Sequence, residues 1–372
     1  MHRQGLQDPL SKRIMRWGWG TLLGAHAATS LATAGSGGAP ALYYGGARSG
    51  DIGGPLVKIK RLSRSFPEHP WRFNIVYVLS NAAYLPALAL GLFRKQRIPI
   101  VHNQNGVFYP AWFPGDWRAG NERMARSYRI ADHVFYQSAF CRDCAARFLG
   151  QREGPGEVLF NAVDTESFRP AVDREAAPTR RPFQFLVTGK IDGHLFYRVE
   201  STLSGLAEAR AQGLECDLEI AGWMSEDALR RSRDLAAGLG IGSAVAFSGA
   251  YTQERAPEIY RNADAYVMMK HNDPCPNTVL EAMSCGLPVV YSESGGVPEL
   301  VGDSGIAVAC GQSWDRPLVP ATGDIAAAML EVAARRRDLS SAARNRAVAK
   351  FGLDDWISRH RAVFESLLAA RT

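Results

Sequence analysis

Two carboxylates eight positions apart, Asp273 and Glu281, bracket a Pro/Asn/Thr turn in the stretch HNDPCPNTVLEAMSCGLPVVYSESGGVPELVGDSG, residues 271–305. A helix-sized segment, 278–285, follows the turn and is stopped by Gly286 and Pro288. An apolar strand, 288–291, comes next, then the pair Gly295-Gly296 and a second helix start at Pro298-Glu299. A strand, a tight turn and a helix N-terminus in succession make an anion site, because unpaired backbone N–H groups and the helix dipole point at one spot. An acid one turn into that helix can accept from a ribose hydroxyl, as acids do in dinucleotide folds. Residue types in this order suit a nucleoside diphosphate with a further group attached.

Such a turn must be carried by parallel sheets, and the chain has the pattern to build them. Its 372 residues exceed what one core usually holds, so two domains are expected. The first series reads as strand 39–44, the loop GGARSGDIGGP, helix 56–65, strand 73–79, a Ser80-Asn81 turn, helix 84–93 and strand 98–102. An aromatic loop, NGVFYPAWFPGDW, leads to helix 122–128, strand 133–136 and strand 157–160. Residues 170–182, rich in proline and charge, read as a linker. The second series reads as strand 183–187, helix 199–213, strand 217–221, helix 226–238, strand 245–248, helix 256–261 and strand 265–269, followed by the acid-bearing stretch. One helix over 324–351 and a last one over 354–370 close the chain. Alternating strands and helices with glycine turns indicate α/β architecture, two Rossmann-like doubly wound parallel-sheet domains with a cleft between them.

Composition narrows the partners. Hydrophobic content of 46% and charged content of 22% are ordinary for a globular protein, and the net charge of +6 is modestly basic. The arginines are spread widely, which favours an anionic small substrate or a membrane surface over nucleic acid, whose groove needs a concentrated stripe. Six cysteines (141, 144, 216, 275, 285, 310) form no disulfide framework, and the single Cys141-Arg-Asp-Cys144 lacks the second pair that a zinc site needs. Residues 12–34 have a basic start and a mildly apolar middle, like a weak secretory signal, but His26 and several Thr and Gly dilute the apolar core. A flexible or surface-lying N-terminal extension, 1–38, is the reading preferred here. Residues 75–93 are almost free of charge, yet they divide better into a strand and a helix than into a membrane span.

Beyond these physical readings, an acid, seven residues, a second acid, EAMSCGLPVV and the turn Gly295-Gly296-Val297-Pro298-Glu299 form one ordered pattern. It resembles that of the retaining glycosyltransferases of family 4, which adopt the GT-B fold. VLFNAVDTESFRP, VAFSGAYTQERAPEIYRNADAYV and the closing KFGLDDWISRHRAVFESLL are similar to further family runs, so the resemblance reaches from residue 39 to the C-terminus. It implies an acceptor-side domain, 39–170, completed by a crossover helix at 354–372, and a nucleotide-sugar domain, 183–353. It also implies roles. Glu281 accepts from the ribose, Asp273 lies by donor-sugar hydroxyls, and the backbone of Asn277, Thr278 and Val279 faces sugar or diphosphate. In place of the family's glutamate stands Asp273, and Pro274-Cys275-Pro276 replaces a glycine-rich turn. Gly189 ends a strand, and Lys190 and Arg198 stand for the cations that offset the diphosphate. On the first domain, Gly53 and Gly54 match a glycine pair that approaches the phosphates. His102 matches a histidine near the donor sugar, and Asn103, Asn105 and Trp112 are candidates for the acceptor.

The resemblance thus implies same-face transfer of a sugar from a nucleotide-diphosphate sugar to a carbohydrate or lipid-linked acceptor, in surface polysaccharide or glycoconjugate synthesis. It implies no cofactor and no metal, in line with a sequence that contains no Asp-x-Asp motif. A cytoplasmic protein, with peripheral contact at the inner face of the plasma membrane and no nucleic-acid partner, is expected. Two other readings stay open at this point: an epimerase or hydrolase of nucleotide sugars with the same fold, and a catalytically silent nucleotide-sugar-binding subunit.

Overall fold

The computed structural model describes residues 10–30, 38–50, 54–171 and 182–371. The chain divides into two compact units. Unit 1 takes Met1–Phe160, Trp314–Arg316 and Asp354–Thr372; unit 2 takes Asn161–Ser313 and Pro317–Leu353.

Unit 1 runs α1 (Leu10–Ser30), β1 (Leu42–Tyr43), α2 (Gly54–Ser65), β2 (Ile75–Leu79), α3 (Ala87–Lys95), β3 (Ile100–Gln104), α4 (Trp117–Ile130), β4 (His133–Tyr136), α5 (Ala139–Leu149) and β5 (Gly156–Val158). The five strands are all parallel and stand side by side in chain order. Every residue of β2, β3 and β4 is buried, as befits strands covered on both faces by helices.

Of the N-terminal segment, helix α1 is described. Along α1, Leu23, Ala27 and Ser30 recur at helical spacing and are buried, the first two in the core of unit 1. The near-uncharged run 75–93 divides as expected, into β2, a 3-10 turn at Ser80–Ala82 and α3. Among the described residues no helix is long and apolar enough to cross a membrane.

Unit 2 runs β6 (Phe183–Thr188), α6 (Phe196–Ala211), β7 (Cys216–Ala221), α7 (Glu226–Gly238), β8 (Val245–Gly249), α8 (Ala256–Arg261), β9 (Ala265–Met268), α9 (Asn277–Ser284), β10 (Val289–Ser292), α10 (Val297–Val301), β11 (Gly305–Val308), α11 (Thr322–Ala334) and α12 (Arg336–Phe351). Helix α13 (Leu353–Ala369) then returns to unit 1. The single helix read over 324–351 is two, because Arg335 leaves the helical conformation (φ −101°, ψ 12°) between α11 and α12. Strand β11 was not foreseen, since GIAV is short and opens on glycine.

The six strands of unit 2 are parallel in the order β11-β10-β9-β6-β7-β8. From β6 the chain winds outward through β7 and β8, then returns to lay β9 on the other side of β6. The loops leaving the carboxyl ends of β6 and β9 therefore part to opposite sides. Ligands of open α/β sheets bind in the crevice at such a reversal. Among the described strands of unit 1 no reversal of this kind occurs.

Candidate functional site

Strand β6 ends on Thr188, and Gly189 turns the chain with φ +120°. A side chain is excluded beside this turn, because a Cβ on Gly222, after β7, would lie 2.1 Å from the Gly189 carbonyl oxygen. Glycine at 222 lets the two loops touch and fixes the floor of the crevice. On the other side of the reversal, α9 begins at Asn277 because Pro274 and Pro276 oppose an earlier helical start. Gly286, with φ +76°, closes its far end.

Glu281 lies one turn into α9, on the face it shares with Asn277. Its carboxyl group is 4% exposed, and burying one costs several kcal/mol unless hydrogen bonds replace water. The Tyr260 hydroxyl donates to Glu281 Oε2 at 3.0 Å. That hydroxyl also meets Thr188 Oγ1 at 3.0 Å, and Thr188 Oγ1 meets the Tyr266 hydroxyl at 3.1 Å. Tyr251 bonds to Thr188 and Tyr260, and Tyr266 to Thr278. Burial raises all three phenols above the ordinary tyrosine range, so they stay protonated and available as donors. A closed set of hydroxyls thus stitches the first turns of α9 to the ends of β6 and β9.

Arg198, on the first turn of α6, is 5% exposed and donates through Nη2 to the Thr188 carbonyl at 3.3 Å. Its Nη1 lies 4.0 Å from where a Cβ on Gly189 would stand. Two buried polar atoms here have no hydrogen-bond partner among the described residues: Arg198 Nε and Asn277 Oδ1. Orphaned groups are rare in native interiors, and a guanidinium N–H beside a glycine turn suits an anion.

Asp273 sits in the loop after β9 with both carboxylate oxygens engaged. Lys270 Nζ approaches Oδ2 at 2.6 Å, and the Cys275 amide donates to Oδ1 at 3.1 Å. Its loop is held from several sides. The Gly296 amide donates to the Asp273 carbonyl, His271 N to the Tyr197 hydroxyl, and Asn272, with φ 55°, donates its amide to Ser294 Oγ. Asn161 Nδ2 clasps the Pro274–Pro276 turn through the Cys275 carbonyl at 2.9 Å. Gly295 permits this packing, since a Cβ there would come within 2.5 Å of the Asp273 carbonyl oxygen.

The residues expected from sequence therefore separate. Gly189, Arg198, Thr278 and Glu281 are joined at the reversal by the contacts above, and Asn277 and Val279 occupy the same first turn of α9. Lys190 is 66% exposed and turned toward Asp192 (3.7 Å) and the Trp223 ring (5.0 Å) instead. Gly53 lies outside the described residues, and Gly54 opens α2.

His102 was read as the last residue of strand 98–102, matching a histidine near the donor sugar; it is the third residue of β3 and 0% exposed. Its ring is clamped between Ser127 Oγ (3.1 Å) and Gln104 Oε1 (2.8 Å), and burial holds its pKa down at about 4. Asn103 and Asn105, read as acceptor contacts, are knitted into unit 1. Lys58 Nζ donates to both side-chain oxygens at 2.7 Å. Asn105 takes a second bond from Gln137 and gives to Asn81 and to the Asn103 carbonyl. Asn103 bonds Tyr77, whose hydroxyl meets His360 Nε2 on α13 at 3.0 Å. Trp112 is 37% exposed, whereas Phe113 packs on Phe108 and Trp117 on Phe148. Cys141 and Cys144 are buried, Cys141 donating to the Gln104 carbonyl. Among the described residues no three His, Cys, Asp or Glu side chains gather as a metal site would need.

Sequence reading missed Lys270, Asn161, Thr188 and the three tyrosines. The tyrosines lie in the run quoted above, but positions 251, 260 and 266 sit on a loop, a helix and a strand, so no single periodicity marks them.

A parallel sheet with a reversal, a glycine turn and a buried acid on the following helix is an arrangement in which α/β proteins bind nucleotides. The chain belongs to the glycosyltransferases. Residues 194–346 match the family "Glycosyl transferases group 1", and residues 31–167 match "Glycosyltransferase Family 4". A D-inositol 3-phosphate glycosyltransferase of Geodermatophilus obscurus is 38% identical over 39% of this chain and 31% of its own length. A mannosylfructose-phosphate synthase of Agrobacterium fabrum is 24% identical over 65% of this chain and 56% of its own. The matches thus span about a third to a half of these relatives. Among solved structures, Anabaena HepE in complex with UDP-glucose has a TM-score of 0.64 at 18% identity, covering 84% of this chain and 82% of that one. Sucrose-phosphate synthase from Thermosynechococcus elongatus has a TM-score of 0.62 at 19% identity, covering 81% and 75%. These likenesses establish the GT-B fold.

Proposed function

We propose that this chain is a retaining glycosyltransferase that moves a sugar from a nucleotide-diphosphate sugar to a carbohydrate or lipid-linked acceptor. The observation that carries the reading is the join, at the β6/β9 reversal, of a buried acid one turn into α9 with a buried, incompletely paired arginine under a glycine turn. Glu281 accepts from the ribose, while Arg198 and the N-terminus of α9 take the diphosphate, where fixed donors stabilise charge that grows as the phosphate departs. UDP-glucose bound to the similarly folded HepE supports a nucleotide sugar as donor.

Asp273 is tied to Lys270 and to a backbone amide, which suits a positioning role for the donor sugar better than that of a nucleophile. Attack on the same face of the sugar, with the leaving phosphate taking the acceptor proton, is the mechanism this leaves. No metal is assigned to the step; the cation and the helix terminus carry the phosphate charge. We assign the reaction to surface polysaccharide or glycoconjugate synthesis at the inner face of the plasma membrane, with the chain held there peripherally.

A screen of UDP-, GDP- and ADP-sugars with oligosaccharide and lipid-linked acceptors tests the reading. A glycosylated product whose new linkage keeps the donor's anomeric configuration is the expected result, unchanged by a chelator. Inverted product would refute retention, and loss of turnover on chelation would refute the metal-free assignment. Free or epimerised sugar formed without acceptor would place the chain with the hydrolases or epimerases of the fold. Binding without any turnover would make it a silent subunit.

A further inference from the structure

Among the described residues, the two most exposed large apolar side chains are Leu88 (69%) and Leu22 (64%), and they sit on α3 and α1, helices packed against each other. Three aromatic residues with polar edges flank the pair. The Trp71 ring lies 4.5 Å from that of His26 on α1, Tyr84 precedes α3, and Trp19 on α1 has the Arg48 guanidinium over it at 5.8 Å. Apolar area of this kind belongs at an interface rather than in bulk water, and tryptophan and tyrosine favour a boundary that is apolar on one side and wet on the other.

Charge identifies the interface. Acids make up 37 of the 372 residues, yet residues 9–50 and 69–115, which carry both helices, contain none. The same two stretches hold Lys12, Arg13, Arg16, Arg48, Arg72, Arg94, Lys95 and Arg97. Of these Arg48, Arg72, Arg94, Lys95 and Arg97 are exposed. Glu68, which borders the second stretch, accepts from the Tyr44 amide. A second copy of the chain docked symmetrically would bring like charges together. An anionic bilayer instead offers hydrocarbon for the leucines and negative headgroups for the cations.

We propose that the α1/α3 face of unit 1 docks on the surface of an anionic phospholipid membrane, with Leu22 and Leu88 as the inserted apolar contacts. This rests on the peripheral attachment proposed above and names its face and its lipid charge. The proposed contact is one of lying on the bilayer surface, and among the described residues no helix is long and apolar enough to cross it.

Flotation of the full chain with vesicles tests the proposal. The wild type is expected to float with phosphatidylcholine–phosphatidylglycerol vesicles, to stay down with phosphatidylcholine alone, and to lose binding as salt rises. Leu22→Glu/Leu88→Glu is expected to weaken binding at least tenfold, in line with about 1.5–3 kcal/mol per inserted leucine. Arg94→Gln and Lys95→Gln are each expected to weaken it about fivefold, from roughly 1 kcal/mol per surface cation. Val348→Glu, at an exposed apolar residue of α12 in unit 2, should change nothing. Nucleoside diphosphate titration and thermal melting of the same samples separate loss of the docking face from loss of the donor site or of the fold. Equal flotation of the leucine double variant and the wild type would overturn the proposal. So would a wild type that ignores both vesicles, or one that dimerises through these leucines without binding lipid.

Discussion

Glu281 brings a carboxyl group into a helix whose last six residues are all buried, and the Tyr260 phenol gives it a hydrogen bond that offsets the lost water. Tyr260→Phe removes that donor while keeping the ring. A hydrogen bond to a charged group is worth about 1.5–3 kcal/mol, so nucleotide affinity should fall roughly ten- to a hundredfold by calorimetry. Unchanged affinity would show that Glu281 takes no ligand. Lys190 and Arg198 make a second contrast. The exposed Lys190 gains little from a fixed position, so Lys190→Ala should lower turnover less than about tenfold. Arg198→Lys keeps a charge but loses the fork under Gly189 and should cost distinctly more, chiefly in kcat. Equal effects would deny the distinction. These differences were invisible in sequence, because burial decides which of two nearby cations faces a ligand, and burial here depends on a turn that one glycine permits and another accommodates.

At the scale of elements, the loop between β9 and α9 is shaped by contacts from distant segments. Gly295→Ala would force a Cβ into the Asp273 backbone at a residue with φ +69°. The expected result is a loss of about 1–3 kcal/mol in thermal unfolding together with a raised donor KM; a normal KM would separate this loop from the donor. The buried histidines of unit 1 give a second prediction. The folded pKa of His102 is lowered to about 4 and that of His360 to about 3, below the ordinary 6.5, so the unfolded chain binds protons that the folded one refuses. Stability is then fully present above pH 6.5 and is lost as pH falls toward those values, by about 1.4 kcal/mol per pH unit for each ring. Melting between pH 7 and 5 should show the decline, and His102→Gln should flatten it; an identical slope would place the linkage elsewhere. Most elements were legible because apolar runs bounded by glycine and proline mark buried parallel strands. The exceptions have local causes. The break at Arg335 falls inside a run of good helix formers, β11 is four residues long, and α1 buries Leu23, Ala27 and Ser30 within a stretch diluted by Thr and Gly.

For the whole molecule, the sequence pointed to two parallel-sheet domains and to the acid-bearing helix as a donor half, and the strand reversal in unit 2 supplies the physical reason for that location. Unit 1 was less legible. His102 was expected near the donor sugar by resemblance, and Asn103 and Asn105 were candidates for the acceptor. In the folded chain Asn103 and Asn105 join a polar interior that ties α2, β2, β3 and α13 together through Lys58, Tyr77 and His360, while His102 is held between Ser127 and Gln104. A network of this kind leaves no trace in residue spacing, since its members come from four distant segments.

Calorimetric titration of nucleoside diphosphates and their sugars into the wild type and Glu281→Ala tests the central claim most directly. Saturable binding of at least one nucleotide sugar by the wild type, weakened about a hundredfold in the variant with its melting temperature retained, is the predicted result. Equal binding by the two proteins, or none by a folded wild type, would contradict the assignment of the β6/β9 reversal as a nucleotide-sugar site.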